Sequence, residues 1–234
     1  MTNSSTKTSL GTFAFIAGLG AIFMGGAPYA EYFVYYKLVI PGDAAGTAKN
    51  IIANEALFIS GIFGYLITFI TDVVVAWALF VFLKPVNENL SLLTAWFRLV
   101  YTIISLIALI NLVTVLRLLN KADSFPVTEP GQLYSQVAFS INAFRNGWSL
   151  GYFFFSIHLG LLGYLVIRSN YIPRIIGVLL IIAGLGWLTN TLQPFLFPGF
   201  NLGFIVITFF GELIFMFWLL IKGSKIRELN QIIK

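Results

Sequence analysis

The sequence predicts an all-α protein: a polytopic bundle of six transmembrane helices in one integral membrane domain, residues 1–234, with both termini cytoplasmic. Three observations carry this. Of the 234 residues, 59% are hydrophobic and only 10% charged, whereas soluble domains run at about 45–50% and about 25%. The mean hydropathy of +0.91 shows the same imbalance. The apolar stretches are also long enough, since a helix needs about 20 such residues to cross the hydrocarbon core.

Charges mark the ends of the spans. Nothing is charged between Lys7 and Glu31, which predicts span 1 over residues 10–29. Only Asp72 interrupts the stretch from Glu55 to Lys84, which predicts span 2 over 56–83. Span 3 (91–119) carries Arg98 and Arg117, and span 4 (134–167) carries Arg145. From Ile175 to Gly211 there is no charge. Pro194, Pro198 and Gly199 divide that run into span 5 (173–197) and span 6 (200–221). Spans 2 and 4 exceed the minimum and must tilt or project.

Basic residues set the orientation. Lys7, Lys84, Arg168, Arg174, Lys222, Lys225, Arg227 and Lys234 fall on one side, against Lys37, Lys49 and Lys121 on the other. Both ends are therefore expected in the cytoplasm. The outer loop 30–55 holds the turn Pro41-Gly42-Asp43, then a short interfacial helix over 44–53. Tyr29, Tyr32, Phe33, Tyr35 and Tyr36 form an interfacial aromatic belt. Residues 120–133, with Pro126, Pro130 and Gly131, are expected to be irregular. Ala27-Pro28-Tyr29-Ala30 is a poor small-x-small cleavage site, so the first helix is expected to stay uncleaved.

The composition excludes much chemistry. Without cysteine there is no disulfide, thiolate nucleophile, iron–sulfur cluster or Cys-ligated metal. A single histidine, His158, excludes a bis-histidine haem and a three-histidine zinc site. No lysine lies inside a span, so a retinal-type Schiff base is out. The net charge of +5 sits at span ends, where it orients the chain, so nucleic acid is not expected as a partner. Phosphate-binding loops, dinucleotide fingerprints and nucleophile elbows are missing. No cofactor is expected, and the reading leans away from an enzyme.

Polar groups inside the bilayer carry what remains, because a central charge costs roughly 2.5–3.5 kcal/mol. Asp72 precedes Lys84 by twelve residues, and lies about 18 Å deep at 1.5 Å per residue. His158 and Glu212 each precede a basic residue by ten, and lie about 15 Å deep. Three titrating groups on three helices thus share one level. They fit a proton relay, a site of two carboxylates and one imidazole for a metal, or an ion pair of Asp72 with Arg98 across the tight span 2–3 hairpin. A second group lies toward the outside. Asn142, Arg145 and Asn146 share a stripe on span 4, Asn54 and Glu55 open span 2, and Asn190 and Gln193 lie near the end of span 5. Together they suggest an outward-facing polar cavity with Arg145 and Glu55 as its charges, or plain interhelical hydrogen bonding. Gly147-x-x-x-Gly151 and the run Gly177, Gly184, Thr191 are expected to be helix-packing stripes.

Several motifs run together along the chain. They are Thr47-Ala48-x-Asn50-Ile51 with Asn54-Glu55-x-Leu57-Phe58, then Asp72 with Leu83-Lys84-Pro85-Val86-Asn87 and Phe97-Arg98-Leu99-Val100. Further on come Arg145-x-Gly147-Trp148, His158-Leu159, Leu162-Gly163-Tyr164-Leu165, Ile172-Pro173-Arg174-Ile175-Ile176-Gly177-Val178-Leu179 and Gly211-Glu212-Leu213. In these the chain resembles the multi-pass bacterial membrane family known as domain of unknown function 4386, over nearly its whole length. Ile59 stands where the family pattern leads one to expect a basic residue. The resemblance implies a shared fold and bacterial origin, and with it a bacterial inner membrane. It also marks Asp72, Arg98, Arg145, His158 and Glu212 as motif positions.

The leading functional expectation is a non-enzymatic membrane module whose partners are membrane lipids and a small amphiphilic ligand. A proton-coupled carrier using Asp72, His158 and Glu212 is the alternative, and a membrane-embedded hydrolase or metalloenzyme the third.

Overall fold

The computed structural model describes residues 9–120, 130–196 and 207–226. Among these there is no strand. The helices, in chain order, are α1 (Leu10–Phe23), α2 (Gly26–Tyr29), a π-helical stretch (Ala30–Tyr35), α3 (Tyr36–Leu38), α4 (Ala44–Ala53), α5 (Glu55–Leu83), α6 (Glu88–Asn120), α7 (Pro130–Arg168), α8 (Arg174–Leu196) and α9 (Phe210–Ile221). Among the described residues, six helical runs are long and apolar enough to cross a membrane: Leu10–Leu38, Glu55–Leu83, Glu88–Asn120, Gly131–Arg168, Arg174–Leu196 and Ile207–Lys225.

The first run differs from expectation. It continues past Tyr29 to Leu38, so Glu31 and the aromatic residues around it belong to the helix and not to a loop. The physical reason is that Glu31 is neutralised by a distant arginine and so does not mark a span end. In α7 the helix starts at Pro130, four residues before the expected span, with proline at its first position. There the missing N–H costs nothing. The rest of the predicted irregular loop, and the predicted break at Pro198 and Gly199 with the start of span 6, lie outside the described residues. So do Lys7, Lys121, Arg227 and Lys234. Helix α8 runs through Pro194 to Leu196.

Local signals explain the helix starts. Gly42 has φ +80°, a conformation that costs glycine little and other residues more. Asp43 follows and caps α4, its Oδ1 accepting the Gly46 N–H at 2.7 Å. Asn87 Oδ1 accepts the Leu90 N–H at 2.9 Å at the start of α6.

The chain packs as two compact units. One comprises the described parts of Met1–Ile22, Asp72–Leu99 and Tyr152–Lys234; the other comprises Phe23–Thr71 and Val100–Gly151. In the first, small residues bring backbones together. A Cβ on Gly163 would lie 2.5 Å from the Gly177 carbonyl oxygen, and one on Gly177 would lie 2.5 Å from that of Gly163. Gly184 faces the Ser156 carbonyl, and Gly211 that of Leu179. In the second unit, Gly26 and Gly64 meet in the same way. Its core is aromatic: Tyr65, Phe69, Tyr101, Phe144 and Trp148 make edge and stacked contacts. Gly147 packs on Ala108, and Gly151 on Tyr101 and Ser105, so the glycine stripe of α7 is a packing surface there.

Candidate functional sites, one in each unit

In the first unit a buried clamp forms around Arg98. Asp72 (α5), Arg98 (α6) and His158 (α7) are 0%, 5% and 1% exposed. Arg98 donates from Nε (2.8 Å) and Nη2 (2.6 Å) to Asp72 Oδ1. Its Nη1 lies 3.1 Å from His158 Nε2. His158 Nδ1 lies 2.9 Å from the Thr94 carbonyl oxygen. These contacts fix the imidazole. A carbonyl only accepts, so Nδ1 carries the proton; a guanidinium only donates, so Nε2 offers its lone pair. His158 is therefore neutral, in one tautomer. Phe155 closes the clamp, with its ring 5.4 Å from Arg98 Cζ and 5.6 Å from the imidazole. Asp72 Oδ2 accepts no hydrogen bond among the described residues.

Glu212 (α9) lies in the same unit. Its Oε1 accepts the Trp187 indole N–H at 2.7 Å. Trp187 stacks on Tyr152 at 4.2 Å and 5°. Of the three groups expected at one level, Asp72 and His158 meet at Arg98, while Glu212 bonds to Trp187. This is a poor relay, because the guanidinium between Asp72 and His158 does not exchange its protons. Nor is any group of three or more His, Asp or Glu side chains among the described residues placed to hold a metal.

The second unit carries a different pair. Arg145 Nη1 donates to Glu31 Oε1 at 2.7 Å. Glu31 Oε2 accepts the Tyr65 hydroxyl at 2.8 Å. The Arg145 guanidinium lies over the Tyr35 ring at 4.4 Å. The arginine side chain is 38% exposed and Glu31 15%. Arg145 is therefore paired with Glu31, while Glu55 accepts instead from Asn120 Nδ2 at 2.7 Å. Among the expected cavity residues, Asn54 is exposed and donates to the Asn50 carbonyl at the end of α4. Asn142 and Asn146 are exposed on α7, on either side of Arg145 in sequence. Asn190 (exposed) and Gln193 (half-buried) belong to the first unit. The crevice found in the second unit is apolar, lined by Val34, Phe58, Ile62, Leu112 and Ile141 with Tyr35 and Tyr65. It encloses about 10 Å³, space for a single water. None of the expected cavity residues lines it.

In the second unit, Glu31, Tyr35 and Tyr65 are residues that sequence reasoning did not assign to a site. A signal for Glu31 was present: from Ala30 to Ile40 no proline or glycine stops a helix, and Arg145 needs an acid. Tyr65→Phe removes one oxygen's donor from Glu31. It is expected to lower stability by about 1 kcal/mol, readable by reversible unfolding in detergent. No change would mean that water replaces the hydroxyl.

Comparison with known proteins gives the family. The family model described as Domain of unknown function (DUF4386) matches residues 16–223. A protein of Archaeoglobus fulgidus described as uncharacterized is 37% identical over 170 residues, which is 73% of this chain and 88% of that one. No solved structure matches. The chain belongs to the DUF4386 family.

Proposed function

We propose that this member of the DUF4386 family is a non-enzymatic integral membrane module that binds the head of a lipid or similar amphiphile at Arg145. In this reading both termini are cytoplasmic and the membrane is a bacterial inner membrane. One observation carries it. Arg145 is half-exposed, and among the described residues its guanidinium bonds to Glu31 and Tyr35 alone, fewer partners than its five N–H donors. A charge on a membrane helix is costly and needs a reason. Glu31 supplies part of one, and the unused donors supply the rest.

The acyl chains stay in the bilayer. The crevice is too small for them, and moving a chain from lipid to a protein groove gains little, since both are apolar. Affinity must then come from the head. Hydrogen bonds to charged groups contribute about 1.5–3 kcal/mol, and 1.4 kcal/mol is tenfold. Asn142 and Asn146, exposed and without partners among the described residues, offer further donors beside Arg145.

Native mass spectrometry from lipid nanodiscs tests this. The wild type is expected to keep one bound amphiphile, and Arg145→Met to lower its occupancy at least about tenfold. Glu212→Gln, in the first unit, should leave it unchanged. A wild type stripped clean, or equal retention by Arg145→Met, would sink the proposal. The proton-coupled carrier has less support, since Arg98 interrupts the path and leaves Glu212 as its one remaining group.

A further inference from the structure

Resting on the reading of Arg145 as a head-group site, we infer that the head is zwitterionic: a phosphate with an amine about two carbons away. Three features of the second unit point there.

The first is the free edge of Arg145. Nη1 is taken by Glu31, and one face of the guanidinium is covered by Tyr35. Tyr35 also shares a side-chain hydrogen bond with Arg145, and beyond these two residues nothing among the described residues engages the edge that carries Nε and Nη2. That edge is a planar fork that matches two oxygens of one phosphate.

The second is Glu31. Both its oxygens are already engaged, by Arg145 and Tyr65, and it is held 2.7 Å from the arginine. The pair is neutral as a whole. A purely anionic head placed on the fork meets the repulsion of Glu31, whereas a head with its own cation offsets it.

The third is an aromatic seat next to the fork. Tyr36 stands edge-on to Tyr35 at 5.8 Å, and Tyr32 lies 5.7 Å from Tyr36. Tyr32 and Tyr36 are each 61% exposed. Neither hydroxyl has a hydrogen-bond partner among the described residues. Aromatic faces within about 6 Å attract an ammonium group. A two-carbon linker separates phosphate from amine by roughly 5 Å at ordinary bond lengths, close to one ring-to-ring step here. Glu31, Tyr32 and Tyr35 all sit in the π-helical stretch, a geometry that recurs at functional sites.

The test uses the full chain in nanodiscs made from equal parts of an ethanolamine phospholipid, a glycerol-headed anionic phospholipid and a free fatty acid, with matched chains. Native mass spectrometry is expected to show the ethanolamine lipid retained at least about tenfold over either competitor. Tyr32→Leu combined with Tyr36→Leu should bring the ethanolamine-to-glycerol ratio close to one while a lipid is still held. Arg145→Lys, which keeps the charge and loses the fork, should weaken all retention. Preference for the anionic lipid or the fatty acid, lost in Arg145→Met, would overturn the zwitterionic head and leave the amphiphile reading standing. Retention of nothing would overturn both. Displacement by added inorganic phosphate alone would assign the fork to a free anion and also overturn the inference. An unchanged ratio in the double tyrosine variant would remove the amine seat and with it the proposal.

Discussion

Replacing Arg98 with methionine is expected to destabilise the protein by about 3–5 kcal/mol, the range for stripping one partner from a buried ion pair. Two groups lose their donors at once. Asp72 Oδ1 loses both N–H bonds, and its other oxygen already has none among the described residues. His158 Nε2 loses its donor as well. A fully buried carboxylate without a cation is the costly outcome, so removing the carboxylate too should restore most of the loss. Asp72→Leu with Arg98→Met is therefore expected to be closer to wild type than Arg98→Met alone, because an apolar replacement of a buried pair is often near neutral. Reversible unfolding in detergent reads both. If the two single losses simply add in the double variant, Asp72 and Arg98 are not coupled and the clamp is wrong.

Gly163→Val is expected to cost about 2–3 kcal/mol, the upper part of the range for overpacking. The obstacle is backbone: a Cβ there lies 2.5 Å from the Gly177 carbonyl oxygen, and a carbonyl cannot rotate away as a side chain can. The helices α7 and α8 would have to separate. Gly160→Val is the control on the same helix. Nothing stands within 4 Å of a Cβ at that position, and its effect should be near zero. Equal losses at the two positions would show that a cost common to both, and not the α7–α8 contact, is being read.

The course of the helices was legible because charges interrupt apolar runs so rarely here. Predicted and observed ends differ by three residues or fewer for α5 and α6. The short helix over 44–53 was found from its proline–glycine–aspartate start. Charge as a ruler failed at Glu31. It treats every acid as water-facing, and an acid paired across the fold violates that assumption without leaving a local trace. The same error moved Tyr32, Phe33, Tyr35 and Tyr36 out of the helix.

The two sites differ in the same way. Asp72, Arg98 and His158 were identifiable because depth is additive along a helix and the span 2–3 turn is tight. The role of Thr94 was not, since it acts through its carbonyl and any residue has one. The partner of Arg145 depends on which faces of distant helices meet, and helical periodicity of one segment does not contain that information.

Photo-crosslinking locates the bound head on the chain. The probe is an ethanolamine phospholipid with a photoactivatable group at the head end of its acyl chain, reconstituted with the full chain and mapped by peptide mass spectrometry. A head held at Arg145 predicts adducts concentrated on the peptides containing Tyr32–Tyr36 and Asn142–Asn146, and their loss in Arg145→Met. Adducts spread evenly over exposed apolar positions such as Trp77, Ile107 and Ile110, unchanged in that variant, would contradict it.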